Sequence, residues 1–219
     1  MDIISGDKSG QPLFTGLYEE LQKDILSGSI PDGSKLTENA VCKEYNVSRT
    51  PVREAFRQLE VDGLIRSVPN RGAFVTGLTK RDISDLFDLR ILFEVQAVEW
   101  AIKSMSSEDI NRLAESLDFM EFYTLKEDVE KVLSFNSQFH NIICEGTGNR
   151  MIQRTLAIYH TYLKYSAPHK TYNEDSLKAI LEEHKAIFEA FETKNAAAGR
   201  KAMEYHMEQS KLRRIANYF

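Results

Sequence analysis

Apolar residues recur at helical spacing from early in the chain. Leu13, Leu17, Leu21, Ile25 and Leu26 share one face, and Gly28 is suited to end that helix. Pro31-Asp32-Gly33 reads as a turn. Thr37 can cap a second helix running to Tyr45, and Asn46-Val47 makes a tight corner. A third helix starts at Ser48-Arg49-Thr50-Pro51 and runs to Asp62. Pro51 is tolerated there because the first turn needs no donor from it, and Gly63 closes the helix. Leu64 to Val68 and Ala73 to Val75 then read as two short strands around Pro69-Asn70-Arg71-Gly72.

Beyond Thr79 the text becomes long, helix-periodic and poor in breakers. It predicts about six helices, over residues 80–104, 107–126, 127–145, 149–166, 174–193 and 195–217, with Ser107, Asn149 and Asn195 as starts. Each carries an apolar stripe, in the first of them Leu86, Leu89, Phe93, Ala97 and Trp100. Stripes of that kind need partners, which predicts an antiparallel bundle. The expected organisation is a first domain over 1–76, a linker over 77–80 and a helical domain over 81–219. The fold class is mainly α: a winged helix-turn-helix followed by an antiparallel all-α bundle.

Composition narrows the function classes. The 219 residues are 42% hydrophobic and 28% charged, with 11 Gly and 5 Pro, the make-up of a globular chain. No apolar run approaches the roughly 18 residues a membrane helix needs. The start MDIISGDKSG lacks the basic and apolar segments of a secretory signal. Cys42 and Cys144 stand far apart with no CxxC spacing, so a disulfide scaffold is not expected and a cytoplasmic location is. The net charge of −5 excludes a uniformly basic coat but not a local basic face.

Such a face is legible in the third helix. Val52, Ala55, Phe56 and Leu59 can pack while Arg49, Arg53 and Arg57, four apart, form a neighbouring stripe. Between Ser48 and Val75 there are five Arg against Glu54, Glu60 and Asp62. A planar guanidinium fork matches phosphate and the guanine edge, and Ser48 and Thr50 sit where a helix start can meet phosphate. Taken alone, the stripe is equally well a solvated surface.

All five histidines lie in the second part: His140, His160, His169, His184 and His206. Asn136 and His140 share one helix face, and His184 and His206 fall on the last two helices. A bundle can bring them to one point, and three imidazoles with an amide oxygen are a workable divalent-metal set. Hydrogen-bonded core histidines are the alternative. His160 and His169 are assigned to surface or structure, Cys144 to the core, and Phe119, Phe122, Tyr123, Tyr159, Tyr162 and Tyr165 to core or pocket wall.

The stretches Pro31–Glu38, Val47-Ser48-Arg49-Thr50-Pro51-Val52-Arg53-Glu54-Ala55, Leu59-x₃-Gly63-Leu64-Ile65 and Arg71–Val75 resemble the DNA-binding domain of the GntR family of bacterial regulators. The resemblance implies DNA contact by Arg49, Thr50 and Arg53, with the wing tip Asn70, Arg71 and Gly72 in the minor groove. Asn39 stands where many relatives carry Arg. Residues Asn136–His140, Gly148-Asn149, Glu183-His184-x₂-Ile187-x₂-Ala190 and Met203-x₂-His206 resemble the FCD effector-binding domain of the FadR subfamily. That likeness implies a divalent metal, zinc or nickel, on Asn136, His140, His184 and His206, and a small carboxylate completing its coordination. Arg90, paired with Glu94 in the family's Arg-x₃-Glu, becomes a candidate clamp for the effector carboxylate; the alternative is a surface i,i+4 pair.

The expected protein is therefore a cytoplasmic, homodimeric, non-enzymatic regulator of a palindromic double-stranded operator, with no membrane role, repressing until its effector binds. The alternatives are a metal-dependent hydrolytic enzyme and a regulator whose metal is purely structural. Glu183, adjoining His184, is a poor general base because helix neighbours point about 100° apart.

Overall fold

A computed structural model describes residues 13–69, 71–165 and 172–216. Asn70 and His169 lie outside the described residues, as does the side chain of Tyr165. The chain divides into two compact units, Met1–Thr79 and Lys80–Phe219.

The first unit runs α1 (Leu13–Leu26), β1 (Lys35–Leu36), α2 (Glu38–Glu44), α3 (Arg49–Val61), β2 (Ile65–Val68) and β3 (Gly72–Val75). Leu17, Leu21 and Ile25 of α1 meet Val52, Ala55 and Leu59 of α3 in a core completed by Val41, Leu64, Ile65, Ala73 and Val75. Thr37 caps α2 by accepting from the Ala40 N–H at 3.2 Å. The corner into α3 turns on Asn46, whose φ of 52° lies in the left-handed region that asparagine tolerates. The sheet has the order β1-β3-β2, all antiparallel, with Val68 opposite Gly72 and Leu36 opposite Ala73. Two-residue β1 carries no periodicity to read, and the sequence pattern did not predict it.

The second unit is a bundle of α4 (Lys80–Ser104), α5 (Ser107–Leu125), α6 (Val129–Gly146), α7 (Arg150–Tyr165), α8 (Glu174–Glu192) and α9 (Ala196–Ala216). A reciprocal capping box, Ser106 with Asp109, starts α5. Helix α6 starts later than periodicity indicated, because Glu127 takes φ 53° and Asp128 becomes the cap. Helix α4 packs on α9, α6 and α7, and α8 packs on α9 and α5. Gly199 allows α4 and α9 to approach closely; a Cβ there would lie 2.5 Å from Ile102 Cδ1 and 2.8 Å from Val98 Cγ1.

Of the apolar stripe expected on α4, only Ala97 is fully buried, and Leu86 and Phe93 are half-buried. Leu89 and Trp100 are exposed, and the buried set is Ile83, Phe87, Arg90, Glu94, Val95, Ala97, Val98 and Ala101. The helix is rotated by about one residue because its buried seam contains two charged side chains. Phe119 and Phe122 are likewise half-exposed rather than core; Phe119 stacks on Phe135 with centroids 4.9 Å apart. Cys144 is buried as expected, and burial pushes its thiol up to about 12.

Candidate nucleic-acid face and histidine centre

In the first unit Ser48, Arg49, Thr50, Arg53, Arg71 and Gly72 are all exposed. Ser48 is the N-cap of α3 in extended conformation, without a side-chain cap bond among the described residues. Arg49 Nη2 donates to Asn39 Oδ1 at 3.1 Å, and Arg53 Nε donates to both oxygens of Glu38 at 2.9 Å. The start of α2 therefore holds both arginines in place. Exposed pairs of this kind contribute little to stability, so an incoming phosphate or base edge can replace them. Phe56, half-buried, and Val52, Ala55 and Leu59, buried, anchor the adjoining face of α3.

In the second unit His140 from α6, His184 from α8 and His206 from α9 meet at one point. All three are buried, and one ligand atom from each lies within 4.8 Å of the others. Each ring is oriented through its Nδ1: His140 with Glu94 Oε2 at 3.1 Å, His206 with Glu183 Oε2 at 2.8 Å, and His184 with the Ile180 carbonyl at 2.7 Å. Ionised carboxylates and carbonyls only accept, so each Nδ1 is assigned the proton and each Nε2 is a bare lone pair. His140 Nε2 and His206 Nε2 nevertheless lie 3.1 Å apart. Among the described residues, the buried His184 Nε2 has no hydrogen-bond partner. Three inward lone pairs, one orphaned and two facing each other, are a donor set that fits a cation.

The electrostatics agree. Burial lowers His140 and His206 to about 4 and His184 well below its ordinary value, so all three are neutral near pH 7. Burial alone would raise Glu94, but His140 and Arg90 outweigh it and hold the carboxyl well below the usual range. Glu183 is lowered in the same manner by His206 and Arg213 against the effect of burial.

Asn136 is half-buried, one turn before His140 on α6. Arg90 and Glu94 form a buried pair, not a surface one: Arg90 Nε and Nη2 donate to Glu94 Oε1 at 3.0 and 2.9 Å. His160, read from the sequence as surface or structure, contacts the same carboxylate, its Nε2 lying 3.2 Å from Glu94 Oε1. Its ring centroid is 6.4 Å from that of His140. Glu94, Glu183 and His160 complete the centre, and the cues in the sequence were slight: Glu94 lies four residues after Arg90, and Glu183 precedes His184.

A wing beside an exposed arginine-bearing helix, on a chain that also carries a helical unit with a converged imidazole centre, defines a class: the transcription regulators. The chain matches the family described as "Bacterial regulatory proteins, gntR family" over residues 13–75 and the "FCD domain" over residues 85–209. It is 30% identical over 208 residues to the HTH-type transcriptional regulator YdhC of Bacillus subtilis (strain 168), covering 94% of this chain and 92% of that one. It is 29% identical to the gluconate operon transcriptional repressor of the same organism, over 81% of this chain and 75% of the relative. A transcriptional regulator GntR from Rhodococcus sp. RHA1 superposes with TM-score 0.66 at 25% identity, covering 94% and 99% of the two chains. Escherichia coli McbR/YncC shares the fold, with TM-score 0.69 at 20% identity over 91% and 95%. This chain belongs to the GntR family of bacterial transcription regulators and carries an FCD domain. Among the described residues, no helix is long and apolar enough to cross a membrane.

Proposed function

We propose that the protein is a cytoplasmic, homodimeric repressor whose grip on a palindromic operator is controlled by a small carboxylate bound at a divalent metal. Helix α3 enters the major groove, where Arg49 and Arg53 leave Asn39 and Glu38 for base edges or phosphate. Ser48 and Thr50 meet phosphates at the start of α3. The tip Asn70, Arg71 and Gly72 reaches the adjacent minor groove.

His140, His184, His206 and the amide oxygen of Asn136 would hold the metal, zinc or nickel, which supplies a positive anchor for a carboxylate. All four ligands are neutral, so the ion's charge is left for an anion to balance. Arg90 keeps Nη1, which is not committed to Glu94, as a second donor for that anion. The effector is bound unchanged: Glu94 and Glu183 are both fully engaged as acceptors and held ionised, so neither is a proton acceptor poised near pH 7. Binding shifts the population of head arrangements that fit the operator.

Dimerisation has a candidate face. Leu89, Leu92 and Trp100 on α4 and Met151 and Ile158 on α7, two packed helices, are exposed.

The observation that carries the reading is the set of three inward imidazole lone pairs in a chain whose other unit exposes two arginines at the start of α3 beside a wing. The test is gel shift on an operator selected from a random duplex library, repeated across salt concentrations. Arg53→Ala is expected to weaken binding by about 1–3 kcal/mol, roughly 5- to 150-fold. A double variant, Arg49→Ala with Arg53→Ala, that binds as tightly as wild type would overturn the reading.

A further inference from the structure

Two histidines of the centre are held in parallel ways. On one side Arg90 donates to Glu94, and Glu94 receives the Nδ1 of His140. On the other, Arg213 donates from Nη1 to Glu183 Oε1 at 2.8 Å and from Nη2 to Oε2 at 2.6 Å, and Glu183 Oε2 receives the Nδ1 of His206. Both chains run arginine, glutamate, imidazole, and both end on the same point. The second starts 30 residues away from its glutamate, in the last turns of α9. Arg213 is largely buried, with 18% of its side chain exposed, and its partner Glu183 shows 7%.

We infer that Glu183 and Arg213 are positioning residues for the metal: the guanidinium fork fixes the carboxylate in one plane, and the carboxylate fixes the ring of His206 with its Nε2 turned inward. The inference rests on the metal reading of the centre. Its physical content is that a two-pronged arginine contact removes the freedom of a glutamate to rotate, which a single hydrogen bond does not. A glutamate free to turn would let the imidazole swing, and an imidazole that swings presents its lone pair to the ion only part of the time. The neighbouring Arg214 donates from Nη2 to the Leu163 carbonyl at 2.8 Å, so the same turns of α9 are also fastened to α7.

The probe is cobalt(II) alone, added to the full-length chain in competition with a chromogenic chelator, with the visible ligand-field spectrum recorded alongside. Wild type is expected to take up one ion per chain. Glu183→Gln should weaken the affinity about 10–100-fold and change the spectrum. Arg213→Ala should weaken it about tenfold, and Arg213→Lys should recover part of the loss. Arg200→Ala, on α9 like Arg213, serves as the control, because it breaks a surface contact with Glu99 of α4 without touching the centre. Its affinity and spectrum are expected to match wild type.

Should Arg213→Ala not fold, Glu183→Gln and Arg213→Lys still decide the matter. Wild-type affinity and an unmoved spectrum in Glu183→Gln and the Arg213 variants, with cobalt bound to wild type, would overturn the inference and leave the metal reading standing. A loss in Arg200→Ala as large as in Arg213→Ala would also overturn it, since general destabilisation would then account for both. Failure of wild type itself to bind cobalt would remove the metal reading and this inference together.

Discussion

His206 is 1% exposed, and the groups around it explain why it stays neutral: burial opposes the imidazolium more strongly than Glu183 favours it. The consequence for pH has a definite sign. His140 and His206 titrate near 4 in the folded chain and near 6.5 when unfolded. The unfolded chain therefore takes up more protons between those values, and stability falls as pH drops from about 6.5 toward 4. Glu94 and Glu183, also lowered, add a loss in the same direction at the acid end of this window and below. Scanning calorimetry of metal-free protein is expected to show a melting temperature several degrees lower at pH 5 than at pH 7. A flat profile would contradict the buried neutral centre. At this scale the sequence was informative where spacing is local, as with Asn136 and His140 on one helix face. Glu94 and Glu183 were not legible as buried, because an acidic helix residue is surface by default and only surrounding cations make its burial tolerable.

Among the elements, α3 and α4 contrast. The sequence of α3 has one apolar face and one cationic face, and the structure buries the first and exposes the second. In α4 the same kind of reading was off by about one residue, because Arg90 and Glu94 sit in the buried seam while Leu89 and Leu92 do not. The wing was read as a hairpin, yet the reason for its glycine appears only in the sheet. Gly72 has φ +92°, and a Cβ would stand 3.1 Å from the Leu36 carbonyl oxygen of β1. Gly72→Val is expected to destabilise the first unit by about 1–3 kcal/mol, measured by urea unfolding, and to weaken operator binding. Arg71→Ala should weaken operator binding without that loss of stability. Equal stability of Gly72→Val and wild type would show that the β1 contact does not constrain the wing.

For the whole molecule, the proposal requires two copies, because a two-fold dimer presents two heads to a palindrome. Leu92 is 68% exposed at the middle of the apolar strip on α4. Leu92→Glu is expected to shift the chain from dimer to monomer in sedimentation equilibrium and to lower operator affinity by at least tenfold, with the fold of each unit intact by circular dichroism. A dimer unchanged by Leu92→Glu would remove α4 as the interface. What the amino-acid order determined by itself is what short-range physics carries: helix spans, caps, the corner at Asn46, the hairpin and the arginine stripe, all set by neighbours within a few positions. Tertiary structure alone decided which face of α4 is inside, that His184 and His206 meet His140, and that Glu94, Glu183 and His160 stand around them. Those contacts join side chains 23 to 66 positions apart. No periodicity within a helix encodes them; they follow from how the helices cross.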